Sequence, residues 1–178
     1  MKITVFLTIL PLVLSPVCAA AGAETPSFEV GVRGGADVSK RNLDESYGTA
    51  EIYLLKQLPW GATFGGHNRL SSRFDCGAAY LEAGDDEGAM LAAGADLVLG
   101  LWDDRVEFEV GFRPTWMFDH DYGDDDFGGG MQFSSHAGLA INWSRAVLSY
   151  RIQHTSNAGL YKDNPGLNLH MVGLGYRF

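Results

Sequence analysis

The sequence predicts an all-β fold: an eight-stranded antiparallel transmembrane β-barrel, preceded by a cleaved signal peptide. Three observations carry that prediction. Apolar residues recur every second position rather than every 3.6. The alternating runs are about ten residues long, the length that a tilted strand needs to cross a bilayer. An export signal comes first, and the last strand ends on the aromatic Phe178.

The signal is expected over residues 1–23. Met1-Lys2 supplies a positive charge, residues 3–17 an apolar core, and residues 19–23 a run of small residues. That order is the signature of secretion. Cleavage after Ala21-Gly22-Ala23 leaves residues 24–178 as the barrel domain, and Ala19-Ala20-Ala21 offers a second point. Pro11 and Pro16 interrupt the core, which is short for a helix spanning about 30 Å of hydrocarbon. The residues before Cys18 lack the leucine placement of lipoprotein processing. Once Cys18 is removed, Cys76 stands alone, so the exported chain must be stable without an internal disulfide.

Strands are expected at 27–37, 48–57, 73–83, 89–101, 105–114, 131–143, 146–156 and 167–178. In the first, Phe28, Val30 and Val32 oppose Glu29 and Arg33. In the fifth, Val106, Phe108, Val110 and Phe112 alternate with Glu107, Glu109, Gly111 and Arg113. In the sixth, Phe133, Ser135, Ala137, Leu139, Ile141 and Trp143 oppose Gln132, Ser134, His136, Gly138, Ala140 and Asn142. In the last, Val172, Leu174, Tyr176 and Phe178 oppose Met171, Gly173, Gly175 and Arg177. Each run therefore has a greasy face and a polar or small one. Glycine and other small residues suit the crowded interior of a narrow barrel, and no later segment approaches 18 uninterrupted apolar residues, which excludes a spanning helix.

An even strand number puts both ends on the periplasmic side. Asp103-Asp104 and Ser144-Arg145 then form short periplasmic turns, while 38–47, 115–130 and 157–166 form long external loops. Residues 84–88 form a loop between the third and fourth strands. The segment 58–72 is an exception, a long periplasmic connection made irregular by Pro59, Gly61, Gly65 and Gly66. A barrel this narrow is filled by side chains and is no diffusion pore. Arg33, Glu107, Glu109, Arg113, Arg151 and Arg177 point inward and should form a packed ionic core. Trp60, Trp102, Trp116 and Trp143 fall near strand ends, as in interfacial aromatic belts.

The chain has a formal net charge of −9, with 22 acidic against 13 basic residues. The acids cluster at 85–87, 103–104, 119–121 and 124–126, which read as solvated loop tips and exclude a nucleic-acid partner. His67, His120 and His136 show no metal-ligand spacing, so no metal site or cofactor is expected. Gly128-Gly129-Gly130 reads as loop.

One group of polar residues breaks the pattern. Leu148, Tyr150 and Ile152 share an outward parity, which continues to His154 and Ser156. Counting back from Phe178 puts His170 and Asn168 on the same face of the neighbouring strand. Polar groups that face lipid are costly and mark function when they cluster. His154 and Ser156 are separated by about 7 Å along a strand. An imidazole can reach a hydroxyl at that spacing and act as its general base. Asn168 can hold the ring's tautomer through its carbonyl, as asparagine does in Cys-His-Asn sites. His170 and Asp163 are alternatives for a supporting role. Ordinary polarity at a barrel rim would look the same.

The segment His154-Thr155-Ser156-Asn157-Ala158-Gly159-Leu160, followed by Asn164-Pro165-Gly166, resembles the signature of the PagL-type lipid A 3-O-deacylases. The likeness is sharp from residue 133 onward and looser upstream. It implies hydrolysis of the ester-linked 3-O acyl chain of lipid A in lipopolysaccharide. His154 would be the base, Ser156 the nucleophile and Asn164 an oxyanion donor, with Asn157 beside the nucleophile. No metal cofactor is implied for the ester chemistry. The implied location is the Gram-negative outer membrane, with lipopolysaccharide as partner and barrel-insertion machinery during biogenesis; a homodimer is left open. Where the family carries a glutamate, this chain has Asn168. That change keeps positioning but gives up charge, so a weakened esterase is expected. The alternative is a non-catalytic barrel that binds lipopolysaccharide or stabilises the membrane.

Overall fold

A computed structural model describes residues 28–38 and 46–178. The expected signal peptide and the start of the mature chain lie outside these residues, as does most of the first external loop.

Eight long strands close into a barrel: β1 (Phe28–Asp37), β2 (Tyr47–Phe64), β3 (Asn68–Ala83), β4 (Asp86–Leu101), β5 (Val106–Met117), β8 (Met131–Trp143), β9 (Ala146–Ser156) and β10 (Leu167–Arg177). Two short strands, β6 (Asp121–Tyr122) and β7 (Asp125–Asp126), form a ribbon in the connection from β5 to β8. Every neighbouring pair is antiparallel, and β1 closes on β10 in a register running from Glu29↔Arg177 to Asp37↔Leu169. Closure leaves no free sheet edge around the main ring.

Period-two alternation puts each parity where the sequence expects it. Val30, Val32, Phe108, Val110, Phe112, Leu174 and Tyr176 are exposed on the outer wall, while Arg33, Glu107, Glu109, Arg113 and Arg151 are buried inside. The ionic core is larger than expected. Six carboxylates (Glu29, Glu51, Asp75, Asp96, Glu107 and Glu109) meet five guanidiniums (Arg33, Arg73, Arg113, Arg151 and Arg177). Arg113 shows how tightly these groups interlock: it donates to Glu51 at 2.6 Å, to Asp75 at 3.2 Å and to Gln153 at 2.6 Å. Inward glycines provide the space. A Cβ on Gly111 would overlap both Asp96 and His136, whose Nε2 lies 3.1 Å from Asp96 Oδ1.

Toward the loop end the ionic layer gives way to an apolar plug of Tyr47, Leu81, Met90, Met117, Tyr122, Phe127, Leu167, Leu169 and Met171. The rings of Tyr47, Tyr122 and Phe127 meet edge to face. The ribbon thus folds over the mouth and inserts two aromatic side chains into it. At the opposite end a cavity of about 770 Å³ opens among Arg69, Arg73, Glu107 and Arg177.

The structure revises one connection. Residues 58–72 are not a long irregular link: β2 and β3 continue to a tight turn at Gly65-Gly66-His67, with a register shift between Gln57 and Gly61. Pro59 falls within that shift, where a missing N–H interrupts the ladder without ending the strand. The turn packs beside the β4–β5 turn, where His67 Nδ1 lies 3.0 Å from Asp103 Oδ1. Likewise the expected 84–88 loop is a two-residue turn, Gly84-Asp85, because Asp86, Glu87 and Gly88 already pair with β3. The four tryptophans are exposed near strand ends.

Candidate active site

The hairpin of β9 and β10 sets the side chains of interest. Buried Arg151, Gln153 and Thr155 alternate with Ile152, His154 and Ser156 on the outer wall, and His154 stands directly opposite Asn168. His154 Nδ1 lies 2.8 Å from Asn168 Oδ1. An amide oxygen only accepts, so Nδ1 carries a proton and donates it to Asn168 Oδ1. Gly166, at φ +66°, runs alongside the ring, and a Cβ there would stand 3.1 Å from His154 Cε1.

Ser156 is the last residue of β9 and is half-buried. No hydrogen bond joins it to His154 among the described residues. The chain then turns sharply, with Ala158 at φ 53° and Gly159 at φ 83°. A non-glycine residue in the left-handed region stores strain, which persists only where its surroundings hold it. Asn157 is what holds it: its Oδ1 accepts from Gly159 N at 2.8 Å, and its Nδ2 donates to Asp163 O at 2.6 Å and to Phe127 O at 3.1 Å. Asn157 N donates to Asn164 Oδ1 at 3.1 Å. That bond fixes the Asn164 amide by its oxygen and leaves its NH₂ without a hydrogen bond among the described residues.

The structure therefore brings His154 and Asn168 into one contact and Asn157 and Asn164 into another, with Ser156 between them in the chain. The two alternatives are engaged elsewhere. His170 is joined to Tyr150 by a hydrogen bond and a ring contact with centroids 5.8 Å apart. Asp163 contributes its backbone carbonyl rather than its carboxylate.

Phe127 gave no signal in the sequence. Its ring sits in the plug, and its carbonyl takes donors from both Asn157 and Gln132. The glycines at 128–130, read as plain loop, include the seat for Tyr161: a Cβ on Gly129 would meet the ring at 2.6 Å. No spacing rule finds such cross-loop contacts, because their partners lie some thirty positions apart.

Two groups of potential metal ligands assemble across strands where the sequence gave no local motif. One is Asp75, Asp96 and His136 in the lumen, and the other is His120, Asp121 and Asp126 on the ribbon. The first is already ringed by Arg33, Arg113 and Arg151, which oppose a further cation. On the ribbon, the N–H of Gly128 holds the Asp126 carboxyl below the ordinary carboxylate range. Burial pushes the Tyr122 hydroxyl up to about 12. Neither group includes Ser156 or His154.

A closed eight-stranded barrel with an apolar outer wall, a charged packed lumen and polar side chains on its last hairpin defines an outer-membrane β-barrel. Comparisons with known proteins narrow the class. The family model for lipid A 3-O-deacylase (PagL) matches residues 46–177. The lipid A deacylase PagL of Bordetella bronchiseptica is 26% identical over 170 residues, covering 93% of this chain and 92% of that protein. The fold superposes on the crystal structure of the outer membrane enzyme PagL with a TM-score of 0.73 at 20% identity, covering 84% of this chain and 99% of the other. The chain belongs to the PagL lipid A 3-O-deacylase family, and its location is the Gram-negative outer membrane. Membership supports a PagL-like hydrolase or lipid-binding function for the barrel.

Proposed function

We propose that the chain, after loss of residues 1–23, spans the outer membrane and hydrolyses the ester-linked 3-O acyl chain of lipid A. Ser156 is the nucleophile and His154 its general base. The observation that carries this reading is the outward-facing His154–Asn168 pair, two residues from a serine that faces the same way. That arrangement orients the imidazole through Nδ1 and leaves Nε2 without a hydrogen bond among the described residues, which supports reading it as the base.

An acylated lipid lays its chains along Leu148, Tyr150 and Ile152 and presents its ester carbonyl at Ser156. A change of serine rotamer brings the hydroxyl to His154 Nε2, a contact that tightens only when substrate is bound. Nε2 takes the proton as Oγ attacks the carbonyl carbon, and the negative oxygen of the tetrahedral intermediate accepts from the spare NH₂ of Asn164. The intermediate collapses as the imidazolium returns its proton to the departing sugar oxygen, leaving an acyl-serine. Water from the loop side, deprotonated by His154, releases the fatty acid and restores the hydroxyl. Asn168 orients the ring throughout but cannot offset the imidazolium charge.

The test uses refolded protein in mixed micelles with lipopolysaccharide, reading free 3-hydroxy fatty acid. Wild type should release it, and Ser156→Ala should not. Folded wild type releasing none would leave the lipid-binding barrel as the reading. Equal release by Ser156→Ala would move the nucleophile elsewhere.

A further inference from the structure

The loop end of the barrel is strongly acidic, with carboxylates at 82, 85–87, 119, 121, 124–126 and 163. Among the described residues that end carries one lysine or arginine outside the lumen, Lys162, beside the histidines His120, His154 and His170. Lys162 is exposed and makes no ion pair among those residues. (Lys40 and Arg41 lie outside the described residues.) The other described cations belong to the lumen or to the opposite end, where Arg69 pairs with Asp104 and Arg177 with Glu29 and Glu107.

The position of Lys162 is fixed from both sides. Tyr161, before it, packs onto Gly128 and Gly129. Asp163, after it, has its carbonyl held by Asn157 at 2.6 Å, and Asn157 directly follows Ser156. The lysine is therefore tied to the neighbour of the nucleophile, on a loop braced against the next one, so its four-carbon stem starts from a defined place.

We infer that Lys162 is a specificity-determining residue that binds a phosphate of an anionic glycolipid headgroup and so selects which ester reaches Ser156. This inference rests on the esterase reading above and extends it to the headgroup. Carboxylates crowd the rest of the described rim and repel a phosphate there, so among the described residues Lys162 is the side chain that draws the headgroup to one side. A headgroup held at Lys162 hangs its acyl chains over the β9–β10 face of the wall, where His154 and Ser156 stand. The contact is a charge-assisted hydrogen bond from an ammonium to a phosphate oxygen. It acts in binding and orientation, not on the reacting atoms.

The experiment compares full-length wild type, Lys162→Met and Lys162→Arg in micelles with a chelator present, so that divalent ions cannot bridge carboxylates to phosphate. Two substrates are used, phosphorylated lipid A and the same lipid with its phosphates removed. The readout is the ratio of kcat/KM between them. Lys162→Met should lower the preference for the phosphorylated lipid about tenfold, mainly through KM, and Lys162→Arg should restore most of it. An unchanged ratio, or a ratio lowered equally by the arginine variant, overturns the assignment. A second arm measures binding of both lipids to Ser156→Ala protein, with and without Lys162→Met, by native mass spectrometry. If wild type hydrolyses neither lipid, the esterase reading falls and this arm alone decides Lys162: loss of the phosphate preference upholds it, and no change refutes it.

Discussion

Replacing Asn168 with glutamate puts a carboxylate oxygen where the amide oxygen now accepts from His154 Nδ1 at 2.8 Å. If His154 is the base, it becomes an imidazolium as the serine attacks, and the new charge would stabilise that state. Between charge centres roughly 4 Å apart, the attraction is about 1 kcal/mol in water and about 4 kcal/mol at an effective dielectric near 20. His154 is exposed and Asn168 half-buried, so screening favours the lower end, about 1–2 kcal/mol. At about 1.4 kcal/mol per decade, kcat should rise roughly five- to thirtyfold. Asn168→Leu removes the orienting acceptor without adding charge and should lower kcat by up to about tenfold, the net worth of one hydrogen bond. The assay is initial-rate release of fatty acid in micelles, with heat-modifiable gel mobility and circular dichroism confirming the barrel in each variant. A folded Asn168→Glu enzyme with unchanged or reduced kcat would refute the assignment of Asn168 as the orienting group.

Three further outcomes follow from the same geometry. Asn164→Ala removes the proposed oxyanion donor and should cost about 10²–10³ in kcat with a much smaller change in KM, checked by steady-state kinetics. Arg113→Met strips a buried cation from Glu51, Asp75 and Gln153 and should destabilise the barrel by about 3–5 kcal/mol, read from urea unfolding in detergent. Asp126 has a depressed carboxyl pKa because the N–H of Gly128 binds the charged form. Its contribution is therefore present above the unfolded value, about 3.9, and is lost as pH falls through the lower folded one. Hydrogen exchange across 118–130 should accelerate in that acid window for wild type, and Asp126→Asn should abolish the pH dependence.

Much of the fold was legible because closure of a narrow barrel leaves each side chain only two destinations. Once Val30, Phe108 and Leu174 are assigned to the outer wall, parity alone sends Arg33, Glu109 and Arg177 inside. The direction of His154, Ser156 and Asn168 followed from the same count. What parity does not carry is strand extent and pairing at a distance. Pro59 and Gly61 resemble a break, yet antiparallel neighbours tolerate a local shift and carry the pairing of β2 with β3 on to Phe64. Similarly, Glu51, Arg73, Asp75 and Asp96 join the ionic core, although nothing local to their positions distinguishes them from other strand residues. At the site, the 14-residue step from His154 to Asn168 was readable as a hairpin. The 30-residue step from Asn157 to Phe127 was not, because it depends on how two loops rest on each other.

The packed interior favours the outer wall for the proposed chemistry. At the level of Glu51, Asp75, Arg113 and Arg151 the lumen is filled by interlocked carboxylates and guanidiniums, and above them it is capped by an apolar plug; the open cavity lies at the opposite end, and widening the packed layer would leave buried charges unpaired. The outer wall already offers hydrocarbon contact. A polar group placed there is costly unless it finds a partner, and the hairpin meets that condition by pairing outward polar groups across strands, His154 with Asn168 and Tyr150 with His170. Such pairs hold their geometry without water. If His154 is the base proposed above, an ester on the outer wall can reach it without the lipid being extracted from the membrane.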